Sequence, residues 1–305
     1  MRLGVVLRNM GPASTRETIA AVARLADATP AIADLWVTDH LAIPPDDAEG
    51  SDGRYVEPLV TLAFLAAATM RVGLGTSVLV LPYRPPFLIA KWVASVQELS
   101  GGRVMLGVGT GWMAPEFRAL GVDYRRRGAL SDVALDLLDR CFAADVVEAN
   151  GQPFLFRPRP SRPPLFVGGQ PRFAFRRALA HRGGWMPMGL APDALAPCVA
   201  ELRAAAAGRK LPPPEVAVLT ALPLEDVDRT RALLVRYAEA GATRVIHGAR
   251  YPDADAFRTM IERLAAAASE DCGVSARAAR GRAKRAGSGG LGGLCPPGAR
   301  GGAPR

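Results

Sequence analysis

The chain has 305 residues, 49% of them hydrophobic and 22% charged, with a formal net charge of +9. That is ample apolar sequence for a large core and near the size of one α/β barrel or two smaller domains. No apolar run is long enough to span a bilayer, and the amino-terminal MRLGVVLRNMG lacks the stretch that marks a secretory signal, so a membrane partner is not expected.

Strand and helix signals alternate from the amino terminus onward. The expected strands are Leu3–Leu7, Asp34–Thr38, Val72–Leu81, Val104–Val108, Leu165–Val167, Trp185–Pro187, Val216–Thr220 and Arg244–His247. These are short apolar runs bounded by Gly, Pro or Asp, too uniformly apolar to leave one face wet. The helical patterns between them are Thr15–Ala28, Glu57–Ala68, Pro86–Leu99, Gly128–Ala143, Arg172–Arg182, Pro192–Ala207, Asp226–Ala240 and Asp253–Ala268. Eight strands each followed by a helix is the count of a (β/α)8 TIM barrel, with a doubly wound open sheet as the alternative. Two connections are long: Leu41–Val56, acidic and Pro-rich, and Asp145–Pro163, which reads as a hairpin with an Asn-Gly turn.

The stretch from Met70 to Trp112 holds strand, helix, strand and two loops where a ligand of a parallel sheet would sit. Its Gly107–Gly111 run lacks the G-x-G-x-x-G spacing of a dinucleotide fingerprint, but marks a close backbone approach with Trp112 offering a flat apolar surface. Arg84, beside Pro85-Pro86, is placed to meet a phosphate or carboxylate, whereas Lys91 one turn on suits a structural ion pair. Glu116 either polarises a substrate or caps a helix with Arg118 or Arg127. His40 closes the second strand in Thr38-Asp39-His40 and could move a proton near neutral pH. His181 reads as structural, and His247 is open between the two roles. Gly168-Gly169, at a strand-to-helix turn, exposes backbone N–H groups at the positive end of a helix, an anion site or a tight turn.

Four cysteines, Cys141, Cys198, Cys272 and Cys295, are far apart without metal-ligand spacing, which fits a reducing cytoplasm and no bound metal. Between Glu270 and Arg305 lie seven Lys/Arg and two Asp/Glu, so over half of the net charge sits there. This segment has no hydrophobic periodicity and no interleaved aromatics. It reads as a disordered tail (269–305) behind one domain (1–268), and no nucleic-acid partner is expected.

Together, LWVTDHL at 35–41, EPLVTLAFLAAATMRVGLGTSVLVLPYRPPFLIAKWVASVQELSGGRVMLGVGTGW at 57–112, EFRALGV at 116–122, RRG at 126–128 and PPLFVGG at 163–169 resemble the bacterial-luciferase-like flavin and deazaflavin oxidoreductases. The similarity covers about Met1 to Ala268 and is closest to the branch using the deazaflavin coenzyme F420. It implies a (β/α)8 barrel with insertion segments near its carboxyl face, and a homodimer joined through the early helices. The implied activity is hydride transfer between F420 and a small-molecule substrate. The alternative is an FMN-dependent monooxygenase, served by a separate flavin reductase, that inserts one oxygen atom from O2. A third reading is a barrel that binds flavin without turnover.

The same resemblance implies that His40 is catalytic, near the reactive ring carbon. It assigns the ring to Gly75, Thr76 and Ser77, where relatives often carry a bulge with a non-proline cis peptide. Gly109, Thr110, Gly111 and Trp112 would line the ring or its side chain, and Gly168 and Gly169 would bind phosphate, with Arg84 as a further cofactor contact. One departure is Gly183-Gly184-Trp185, where relatives usually have Asp-Gly-Trp, which puts a polar contact near the sixth strand in doubt.

Overall fold

The computed structural model describes residues 1–48 and 50–269. Their elements are β1 (Arg2–Val6), α1 (Arg16–Ala28), β2 (Asp34–Val37), α2 (Pro58–Ala68), β3 (Gly73–Thr76), β4 (Leu79–Val80), α3 (Pro86–Leu99), β5 (Val104–Gly109) and α4 (Ala114–Ala119). There follow α5 (Arg127–Ala143), β6 (Val146–Ala149), β7 (Gln152–Leu155), β8 (Leu165–Gly168), α6 (Pro171–Ala180), β9 (Gly184–Met186), α7 (Pro192–Gly208), β10 (Ala217–Thr220), α8 (Val227–Glu239), β11 (Arg244–His247) and α9 (Ala254–Ala268). The tail expected at 269–305 lies outside the described residues from Glu270 onward, as do Cys272 and Cys295.

The parallel strands run in the order β10-β11-β1-β2-β3-β5-β8-β9, and parallel bridges from Trp185 to Val216 and from Met188 to Leu219 bring the two ends together. The sheet is therefore a nearly closed eight-stranded barrel, and the doubly wound alternative falls. Local signals set the outer helices. Side chains of Thr15, Glu57, Asp226 and Asp253 accept from the first-turn N–H groups of α1, α2, α8 and α9. Proline opens α2, α3, α6 and α7, where its missing N–H costs nothing. At the foot of the barrel, where helices end, Arg71 gives its guanidinium to carbonyls of Ala26, Asp27, Thr29 and Ile32. Arg103 does the same for Ala66, Thr69, Val72 and Ser100, satisfying carbonyls that a helix end leaves open.

The barrel interior is packed. Trp36, Met105, Phe166, Met186, Ala217 and Ile246 fill it, with Trp36 and Phe166 edge to face at 5.9 Å. Gly75 belongs to this packing: a Cβ there would stand 2.2 Å from the Trp36 ring. Beneath, Asp34 accepts from Trp36 Nε1 and pairs with the buried Arg244. Burial pulls the Arg244 pKa down to about 10, so it is still charged near neutrality. A floor this full confines any ligand to the mouth at the carboxyl ends of the strands.

Two segments differ from the sequence reading. The expected continuous strand Val72–Leu81 is broken into β3 and β4 at a cis Ser77–Val78 peptide, and the short helix α4 carries no separate periodic signal. The Asn-Gly hairpin forms as β6–β7, with Asn150 and Gly151 both at positive φ (53° and 73°). It lies between α5 and β8, so it enters its strand from the foot. Phe154 and Phe156 pack against Phe87 of α3, and Phe156 also meets Phe142 of α5. Of the two long connections, only Leu41–Val56 leaves a strand at the mouth.

Candidate active site at the barrel mouth

β2 delivers Asp39 and His40 to the mouth, β4 leads into Leu81–Tyr83, and β5 runs through Gly109–Trp112 into α4. These three strand ends converge on Glu116, which is wholly buried. Glu116 Oε2 lies 2.9 Å from His40 Nδ1 and accepts from the Tyr83 hydroxyl at 2.7 Å. Its Oε1 accepts from the backbone N–H groups of Leu41 and Ala42. Burial alone would push this carboxyl up, but the donors from His40, Ala42, Tyr83 and Leu41 outweigh it and hold the pKa at about 2. Glu116 is therefore a pure acceptor at neutral pH. Nδ1 of His40 must carry the proton between them, which leaves Nε2, without a hydrogen-bond partner among the described residues, as the atom able to exchange a proton. Burial and the Glu116 carboxylate both raise the Tyr83 phenol far above its ordinary value, so it remains a donor.

The His40 ring is flanked by Tyr55 at 5.1 Å and Trp112 at 6.2 Å, both edge to face. Trp112 is 67% exposed, an unusual state for a tryptophan and one that gives the mouth an uncovered apolar wall.

Beside this cluster, Arg84 donates to both oxygens of Asp39 at 2.7 and 2.8 Å and approaches Glu57 at 2.8 Å. Asp39 also accepts from Val80 N–H at 2.8 Å, tying the end of β2 to β4. Burial disfavours the Arg84 charge, but Asp39 and Glu57 more than restore it. Arg84 is the residue expected as a further cofactor contact. Its guanidinium is buried and committed to protein carboxylates, and it braces the strand end that carries His40.

Val78, projecting from the cis bulge, lies over the ends of β5 and β8. A Cβ on Gly109 would stand 2.6 Å from Val78 Cγ2, and one on Gly168 3.0 Å from its Cγ1. Gly109 and Gly168 are thereby brought to one place, which the sequence reading linked only through the family resemblance. Gly169, at φ 111°, has nothing within 4 Å of where its Cβ would be, and it precedes the amino end of α6. Thr76 donates its hydroxyl to Gly107 O at 2.7 Å, and Ser77 is buried with its N–H on Val37 O at 2.8 Å, so both shape the bulge from within. Thr110 is half-buried, and Gly111 turns the chain at φ 79° against Phe117. Gly75, expected at the cofactor, lies deeper, against Trp36.

His181 bonds Asp139 at 2.7 Å in the helix layer. His247 is buried at the end of β11 and accepts from Leu222 N–H at 3.0 Å, and burial pulls its pKa down to about 4. Lys91 makes no ion pair among the described residues. It donates to Arg157 O at 2.5 Å and lies over the Phe156 ring. Gly183 packs 3.0 Å (from its Cβ position) from Leu165 O at the foot of β8, so the missing carboxylate does not touch the mouth. Tyr55 and Tyr83 gave no sequence signal, and Glu116 only an ambiguous one.

The sequence model of the luciferase-like monooxygenases matches residues 1–287. An uncharacterized protein of Mycobacterium tuberculosis is 34% identical over 234 residues, covering 72% of this chain and 79% of its own. Among solved structures, the oxygenating component of 3,6-diketocamphane monooxygenase of Pseudomonas putida, in complex with FMN, superposes with a TM-score of 0.72 at 14% identity, covering 88% of this chain and 97% of that one. An F420-dependent secondary alcohol dehydrogenase superposes with a TM-score of 0.68 at 16% identity, covering 87% and 98%.

Proposed function

This chain belongs to the luciferase-like monooxygenase family, and from that premise we propose that it is an F420-dependent oxidoreductase exchanging hydride with a small organic substrate, with His40 handling the proton. The observation that carries this reading is the buried Glu116 carboxylate on His40 Nδ1, which fixes one tautomer and leaves Nε2 for the substrate. A deazaflavin fits the residues present. Val78, Gly109, Thr110 and Trp112 offer an apolar bed for a planar ring, where side chains in place of Gly109 or Gly168 would intrude. Gly168 and Gly169, ahead of α6, would take a phosphate on backbone N–H groups. When bound, such a cofactor supplies or accepts hydride at one ring carbon. The chain's own share is to orient the substrate against Trp112 and Tyr55, exclude water with Val78 and Leu41, and hold or give a proton at His40 Nε2.

The alternative in the same barrel is an FMN-dependent monooxygenase fed by a flavin reductase; the FMN complex of the Pseudomonas putida neighbour shares the architecture. A non-catalytic flavin-binding barrel is the least supported, because it leaves the Glu116–His40 pair without a purpose. We further place the protein in the cytoplasm as a homodimer. α2 has no charged residue, and Val60 and Phe64 stay exposed on it. No helix among the described residues is long and apolar enough to cross a membrane. Titrating the purified protein with F420 and with FMN, followed by fluorescence quenching, tests the reading. Saturable F420 binding is expected. Tight FMN binding without F420 affinity would reverse the order, and binding of neither would leave the non-catalytic reading.

A further inference from the structure

Arg8 follows β1 and Arg250 follows β11, two neighbouring strands, so both stand at the mouth. Arg8 is only 6% exposed, yet no carboxylate pairs with it among the described residues. Among the described residues its side chain makes one bond, a long 3.2 Å contact from Nη2 to Gly50 O, and its Nε is buried with no partner. Two phenols stand near it. Tyr251 accepts from the Arg8 backbone N–H at 2.8 Å, and burial raises both this phenol and Tyr55 above their ordinary values. The Arg250 guanidinium lies against the same Gly50, within 2.7 Å of where a Cβ would stand, and it too has no carboxylate partner among the described residues. Arg250 itself is exposed.

Elsewhere in this barrel the buried arginines have carboxylate partners. Arg84 has Asp39 and Glu57, Arg177 has Asp132, and Arg244 has Asp34. A desolvated guanidinium without a counter-charge is costly, and that of Arg8, meeting the exposed Arg250 at one loop residue, is a signal that the counter-charge comes from outside. The forked donors of arginine match the paired oxygens of a carboxylate or phosphate.

We propose that Arg8 and Arg250 form an oxyanion subsite and that the substrate of this mouth carries a carboxylate or phosphate group. Position separates this subsite from the cofactor's phosphate. In the closed strand order β10-β11-β1-β2-β3-β5-β8-β9, Gly168 and Gly169 stand four strands from Arg8 in either direction and three or more from Arg250, across the mouth. His40, on β2, is next to Arg8, and Tyr55 links them: its ring is 5.1 Å from His40 and its hydroxyl feels the Arg8 charge. An anionic group held at Arg8 and Arg250 would present the neighbouring carbon toward His40. The word substrate rests on the oxidoreductase reading; the subsite does not.

The test is calorimetric titration of the cofactor-free protein at fixed ionic strength with butyrate, its neutral isostere butyramide, and inorganic phosphate. The expected result is saturable binding of butyrate or phosphate, whichever is the matching source, none of butyramide, and at least about tenfold weaker anion binding in Arg250→Gln. Arg250 is exposed, so this variant should fold; Arg8→Gln serves as a second arm if it also folds. Equal binding of butyrate and butyramide, or an undiminished anion affinity in Arg250→Gln, overturns the proposal. So does competition between the anion and FMN or F420, which would make this the cofactor's own phosphate site. Failure of both cofactors to bind would sink the oxidoreductase reading while leaving the anion titration readable.

Discussion

Glu116 is completely buried, and its Oε2 stands 2.9 Å from Nδ1 of His40, a residue 76 positions earlier in the chain. The contact joins the end of β2 to the helix that follows β5, and it turns a histidine at a barrel mouth into an imidazole with one defined tautomer. Glu116→Gln removes the charge and places an amide N–H among four donors. The neutral His40 ring, one of three histidines in the chain, should show the Nδ1-protonated tautomer by 15N NMR at mildly alkaline pH in the native protein. In the variant it should become a mixture. Turnover should fall by about a hundredfold or more with little change in cofactor affinity. An unaltered tautomer in Glu116→Gln would remove the positioning role.

The Arg84–Asp39 pair has an energetic consequence. Arg84→Met strands the buried Asp39 carboxylate, which on general grounds costs about 3–5 kcal/mol. Chemical denaturation should show that loss, and whatever folded protein remains should bind cofactor with nearly native affinity. Native stability with lost cofactor binding would return Arg84 to the cofactor.

His247 predicts a pH dependence. Burial holds its pKa near 4, against an ordinary 6.5 in the unfolded chain. Between those values the unfolded state binds more protons than the folded state, so stability rises with pH and is lost on acidification from 6.5 toward 4. The full contribution is about 3 kcal/mol. Glu116 contributes in the same direction only below about 4.5, its ordinary value, so the comparison with a His247 variant is made from about 5 to 6.5. His247→Asn keeps an acceptor for Leu222 N–H, and its stability should be flatter across that interval, measured by urea unfolding. An identical slope would contradict the assignment.

Gly75→Ala tests the floor of the mouth. The added methyl meets the Trp36 ring, which is buried on all sides, so overpacking should cost about 1–3 kcal/mol. The melting temperature should drop while cofactor affinity in the folded fraction is kept. Loss of affinity at native stability would mean that Gly75 touches the cofactor.

Much of the architecture was legible because a parallel barrel repeats one local code. Buried β-branched runs, Pro at helix starts and Gly at helix ends place the barrel strands other than β3 and β4, and the helices other than α4, within a residue or two. Ring closure was not local, since it rests on Trp185 and Val216 meeting across the barrel. The site was legible only in part. His40 could be found because it ends a strand before a long loop. Its partners could not, because Tyr83 and Glu116 reach it only once β4 and α4 are folded beside it, and a carboxylate one turn into a short helix looks like an ordinary cap. The pairing of Arg84 was hidden for the same reason, as its acceptors, Asp39 and Glu57, lie far from it in sequence. The packing of Gly75 was hidden because a glycine that makes room for a ligand and one that makes room for Trp36 look alike.

The most direct test of the central claim compares native protein with His40→Ala, each loaded to the same cofactor occupancy. Rapid mixing with a substrate drawn from a screen of small alcohols and aldehydes then reports the change in cofactor redox state by absorbance. The account predicts equal occupancy and a rate in His40→Ala lower by about a hundredfold or more. Equal rates at equal occupancy would contradict it.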